Sequence, residues 1–145
     1  MSRLLPVAIC LFGMVGCKNV KPADLPGTWV MNDASRQVLP VELQKAAARI
    51  VLNRDGTFVA SDIPALFFFP GHRAARLESG SGTWKLFLSE GRQEVLLEFH
   101  EIVDWKKNEL PYGTQLNVSR GWSALSLYYF FGDADEGRKI EFAKK

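Results

Sequence analysis

Arg49-Ile50-Val51-Leu52-Asn53-Arg54-Asp55-Gly56-Thr57-Phe58-Val59-Ala60-Ser61 decides the fold. Two apolar, β-prone runs flank Asp55-Gly56, and an Asp-Gly pair accepts the positive φ that a tight hairpin turn demands. The stretch therefore predicts antiparallel strands over 49–53 and 57–61. Outward from it the pattern repeats, with strand-like runs over 27–31, 82–88, 94–102, 114–119, 122–131 and 138–142. Ser89-Glu90-Gly91, Arg120-Gly121 and the 132–137 stretch supply turns between them. Hairpins in succession predict an all-β protein, an antiparallel meander of about eight strands forming a barrel. A sandwich or half-barrel satisfies the same pattern.

Alternation assigns the faces. Trp84, Leu86 and Leu88 oppose Thr83, Lys85 and Phe87, and Leu116 and Val118 oppose Gln115, Asn117 and Ser119, so one side of each strand looks inward. The seventh run is apolar on both sides: Trp122, Ala124, Tyr128 and Phe130 on one, Leu125, Leu127, Tyr129 and Phe131 on the other. Either another segment of the chain covers its outer side, or a partner or ligand does. One short helix is expected between strands 1 and 2, where Leu39, Leu43, Ala46 and Ile50 recur at helical spacing behind Pro40; this stripe could lie across the barrel mouth.

The N-terminus reads as an address. Arg3 precedes an apolar run from Leu4 to Val15, too short to span about 30 Å of hydrocarbon, and the run ends at Met14-Val15-Gly16-Cys17. This pattern resembles the lipobox of bacterial lipoproteins. The resemblance implies cleavage after residue 16, a diacylglycerol thioether on Cys17, and a membrane partner held through that lipid. Residues 1–16 are then signal peptide, 17–26 a lipidated tether carrying Pro22 and Pro26, and 27–145 the barrel domain. Lys18, where an Asp would signal inner-membrane retention, resembles cargo sorted to the outer membrane of the cell envelope, facing the periplasm. Cleavage also removes Cys10, so the exported domain has no intramolecular disulfide and depends on its core. Aromatic residues make up 12% of the chain and supply that core, while a formal net charge of +2 gives no bulk attraction to nucleic acid.

Gly27-Thr28-Trp29 resembles the Gly-x-Trp signature of lipocalins and their calycin relatives. Leu52-x-x-Asp55-Gly56-Thr57-Phe58 followed by Gly82-Thr83-Trp84 is similar to bacterial lipocalin-like domains that follow a lipobox. The resemblance implies an eight-stranded barrel closed at one end by Trp29 around an apolar cavity. Trp29, Phe58, Trp84, Phe99 and Trp122 are then the candidate ligand-binding wall. A barrel of this size can equally be filled by its own side chains.

Ile63-Pro64-Ala65-Leu66-Phe67-Phe68-Phe69-Pro70 is too apolar for an ordinary connection, and its prolines argue against an interior strand. It is either a loop folded over the barrel end or a portal built on Phe67, Phe68 and Phe69, with Arg73 and Arg76 placed to meet an anion. Catalytic signals are sparse. His72 and His100 are too few and too far apart for a local metal set, Asp133-x-Asp135-x-Gly137 lacks a closing acid, and Gly80-Ser81-Gly82 lacks a nucleophile elbow's spacing. Glu98 and His100 share one side of a strand, which suits acid-base work or a wet outer wall. No enzyme activity, cofactor or metal is expected. The leading expectation is a membrane-anchored lipoprotein binding a small hydrophobic molecule in its barrel. The alternative is a protein-interaction, inhibitor, immunity or structural envelope lipoprotein whose barrel is filled.

Overall fold

The computed structural model describes residues 19–65, 76–130, 135 and 137–145. Its strands are β1 (Gly27–Met31), β2 (Arg49–Leu52), β3 (Thr57–Pro64), β4 (Leu77–Ser89), β5 (Arg92–Ile102), β6 (Tyr112–Arg120), β7 (Leu125–Phe130) and β8 (Lys139–Lys144). Each pairs antiparallel with the next, and β8 returns to β1 to close an eight-stranded barrel. The closing ladder sets Trp29 against Lys144, Val30 against Ala143 and Met31 against Phe142.

The Asp55-Gly56 turn forms as its residues dictate. Gly56 sits at φ +84°, and the Thr57 hydroxyl and N–H both donate to the Asp55 carboxylate, at 2.7 and 3.0 Å. Those two bonds hold the Asp55 carboxyl below its ordinary pKa range.

Two bulges curve the sheet into closure. In β3 the register shifts between Ala60 and Ile63, with Asp62 at φ 55°, and the strand runs on to Pro64 beyond the expected end at Ser61. Between β4 and β5 it shifts at Ser81 and Gly82, leaving His100 as the extra residue. Gly80-Ser81-Gly82 lies inside β4, which begins at Leu77 rather than near Gly82. Backbone crowding is the reason for the glycines: a Cβ on Gly82 would stand 1.9 Å from the Glu98 carbonyl oxygen. Gly82→Ala is expected to cost about 1–3 kcal/mol, read as a lowered midpoint in chemical denaturation.

Strand direction defines two ends. The lower end carries the short hairpins after β2, β4 and β6, the residues leading into β1 and those leaving β8. The upper end carries the longer connections after β1, β3, β5 and β7. The connection after β1 holds a short helix, α1 (Asp33–Gln37), with Asn32 capping it by accepting the Ser35 N–H at 2.8 Å. This is earlier than the expected helix over 39–50, where only a 3-10 turn, Val41–Leu43, forms. Sheet pairing takes the remainder: the Met31 N–H donates to the Ala48 carbonyl at 3.0 Å, and Ile50 belongs to β2. Leu39, Leu43 and Ala46 are nevertheless buried in the main core, so the apolar stripe closes the upper mouth without being helical.

The lower end is sealed by a strap, residues 19–26, which departs from the expected free tether. Val20 is 5% exposed and exchanges two 2.7 Å bonds with the Gln93 side-chain amide. Asp24 accepts from Arg120 at 3.1 Å through its carboxylate, and from the Lys144 ammonium at 2.6 Å through its carbonyl. Leu25 is fully buried, and its carbonyl takes the Trp29 indole N–H at 2.9 Å. No helix among the described residues is long and apolar enough to cross a membrane.

Candidate functional site

The barrel interior is occupied by its own rings. Trp29, Phe58 and Phe99 are 0, 1 and 2% exposed, and the Phe58 and Phe99 rings meet edge to face with centroids 4.8 Å apart. Phe142, Ile50, Leu52, Leu97 and Leu116 fill the space around them. Among the described residues these three expected wall residues occupy the lumen they were expected to line, which suits a barrel of eight strands.

The other two differ. Trp84 is half-buried at the lower rim, its indole N–H donating to the Asn53 carbonyl at 2.8 Å. Trp122 is not a wall residue: it is wholly exposed, because β7 begins at Leu125 and the Gly121 N–H bonds the Ala124 carbonyl at 2.9 Å, placing Trp122 at a hairpin tip. Leu88, assigned inward by alternation, is 67% exposed at the end of β4. Cys17, Phe67, Phe68, Phe69 and Arg73 lie outside the described residues. Arg76 precedes β4, is exposed, and forms an ion pair with the buried Glu78.

A recess lies at the seam of β6 and β7, whose ladder joins Asn117–Arg120 to Leu125–Tyr128. The seam holds a groove of about 600 Å³ lined by Leu96, Gly113, Gln115 and Phe130 outside and by Tyr112, Thr114 and Tyr129 toward the interior. Tyr112 also leans edge-on against Trp105, with ring centroids 5.9 Å apart. Beside the groove, Tyr128 and Phe130 form the outer side of β7, their rings 5.5 Å apart, with the Lys139 ammonium 5.2 Å from the Tyr128 ring. Leu125, Leu127 and Tyr129 take the inner side, so the double-faced strand has an aromatic outer wall. Sequence reasoning marked that wall through the apolar residues on both sides of the strand but gave no sign of the seam.

Burial pushes the Tyr129 phenol above its ordinary pKa, and burial followed by the repulsion of Tyr129 does the same to Tyr112. Both hydroxyls are therefore neutral hydrogen-bonding groups at physiological pH. Glu98 and His100 stand on the exposed outer wall. The Glu98 carboxylate and the Thr83 hydroxyl each lie 3.2 Å from the same ring nitrogen, His100 Nε2. A proton relay uses the two ring nitrogens separately, so this trio is not arranged as a nucleophile, base and orienting acid. Among the described residues no three acidic, histidine or cysteine side chains gather as a metal site. The chain matches no protein-family model, no curated protein and no solved structure.

The tyrosine pair gives a direct check. Raised folded-state pKa values mean that stability is complete below the unfolded phenol value near 10 and falls as pH climbs through the folded values. Ultraviolet titration of tyrosinate is expected to show late-titrating phenols, one of which disappears in each of Tyr112→Phe and Tyr129→Phe.

Proposed function

We propose that this protein is a lipid-anchored envelope lipoprotein whose filled barrel is a rigid scaffold for binding another protein. The single observation behind this reading is the inversion of the site: the lumen is packed with Trp29, Phe58 and Phe99, while the recess lies outside, at the β6–β7 seam. That recess combines Tyr112, Tyr129 and Phe130 with Gln115 and Asn117, the aromatic-plus-polar chemistry of protein-binding surfaces. Such a module works as an inhibitor, immunity or assembly factor, without catalysis or cofactor. The Met14-Val15-Gly16-Cys17 motif supports lipid attachment, and Lys18 supports an outer-membrane position facing the periplasm.

A second reading keeps the expected small hydrophobic ligand but moves it into the seam. Its support is the groove volume of about 600 Å³, which falls in the usual range of ligand pockets.

Native mass spectrometry of the mature protein, extracted from its own envelope in mild detergent, separates the two. A stoichiometric protein partner is expected, and Phe130→Ala should weaken it at least about tenfold while leaving the circular dichroism unchanged. A bound apolar small molecule with no protein partner would overturn the first reading in favour of the second. Cys17→Ser is expected to move the protein from the membrane fraction to the soluble fraction, and retention in the membrane would remove the anchor.

A further inference from the structure

We propose that the lower end of the barrel is a membrane-contact face that seats directly on an anionic phospholipid surface, an inference that rests on the Cys17 anchor. Only Lys18 and Asn19 separate Cys17 from Val20, which is clamped to Gln93. Three residue steps reach about 11 Å even when fully extended. The strap therefore leaves no spacer, and the lipidated cysteine would draw this end of the barrel to the headgroup layer.

The chemistry of that end fits such a surface. Trp122, the wholly exposed hairpin tip, is the residue type that partitions to the boundary between headgroups and acyl chains. Leu88, also strongly exposed, precedes the neighbouring β4–β5 turn and adds apolar area at the same end. Cations dominate the rest: Lys21, Arg54, Arg92, Arg120, Lys144 and Lys145 lie on the strap, the hairpins and the end of β8, against Asp24, Asp55 and Glu90. Asp24 and Arg120 offset one another, which leaves Lys21, Arg54, Arg92, Lys144 and Lys145 against Asp55 and Glu90. A groove of about 540 Å³ beside the strap, edged by Lys144, Lys145 and the Arg120–Asp24 ion pair, keeps a net positive lining that would admit a lipid phosphate. Basic side chains beside an interfacial tryptophan are the usual means by which a surface recognises anionic lipid.

The test reconstitutes the natural mature protein in vesicles of equimolar phosphatidylglycerol and phosphatidylethanolamine, with bromine on the acyl chains as a short-range quencher of tryptophan emission. Intact-mass analysis of the same sample reports the lipid on Cys17. Quenching of wild-type emission that is absent in Trp122→Phe, with unchanged circular dichroism, is the expected result. Unquenched emission from protein whose mass includes the lipid would overturn the contact face and leave the anchor standing, as would Trp122 being shielded by a co-purifying protein. If the mass shows no lipid, the anchor reading fails by itself, and sedimentation with the same vesicles then decides the face. Co-sedimentation that is lost in Arg92→Glu/Lys145→Glu and at high salt supports it; absence of co-sedimentation overturns it.

Discussion

The short ladder between β1 and β8 is the constraint on which this structure depends. Three residue pairs, Trp29 with Lys144, Val30 with Ala143 and Met31 with Phe142, turn an open meander into a closed barrel. Without them both edge strands would present unpaired backbone groups, the liability that closure abolishes. The ladder is also where the strap is secured. Lys144, opposite Trp29, spans Asp24 and the indole face, with its ammonium 2.6 Å from the Asp24 carbonyl and 5.6 Å from the ring centroid. The Trp29 indole N–H in turn holds the Leu25 carbonyl. Closure of the wall and closure of the lower mouth are thus one cluster of contacts, and truncation of Trp29 would disturb both.

A closed wall around a small lumen moves function outward. An eight-stranded barrel encloses roughly the volume its inward side chains can fill, and this one spends that volume on buried aromatic and aliphatic groups. The fully buried set includes Trp29, Phe58, Phe142, Met31, Ile50 and Leu52. Polar inward groups are concentrated toward the upper half, where Glu78, Tyr112, Thr114 and Tyr129 sit near the β6–β7 seam and the upper connections. The recess therefore forms where the lining becomes polar, and the apolar lower half is sealed beneath the strap.

The parts of this arrangement that local chemistry writes are the parts the sequence made legible. Asp55-Gly56 announces its turn, and the alternation through Leu116 and Val118 marks one inward face. What stayed hidden is set by distant partners. Residues 19–26 read as a tether because two prolines and polar residues dominate them, whereas their docking depends on Gln93, 73 positions from Val20. Gly80-Ser81-Gly82 carries no local sign of lying within a strand, because the need for glycine comes from the Glu98 carbonyl on the next strand. Leu39, Leu43 and Ala46 were legible as core and not as turn, because Pro40 and the pairing of Ala48 with β1 decide their backbone. The seam has no local signature, since its lining comes from β5, β6 and β7 together.

Topology then gives the two ends different work. In a meander with an even number of strands, the segment leading into β1 and the segment leaving β8 emerge at the same end, and the hairpins between even and odd strands join them there. On the proposed anchor, that end faces lipid, and the short connections it carries are the ones best suited to a flat surface. The opposite end receives every long connection, including the turns after β1 and β5 that bury Leu39, Leu43 and Ile102. The seam opens toward this second end, at Tyr112 and Phe130, as far along the barrel as the strands extend from Trp122. A packed lumen between them keeps the two surfaces rigidly related. Holding the lower end at the membrane would therefore fix the direction in which the aromatic seam is presented, without any further contact between the barrel and the bilayer.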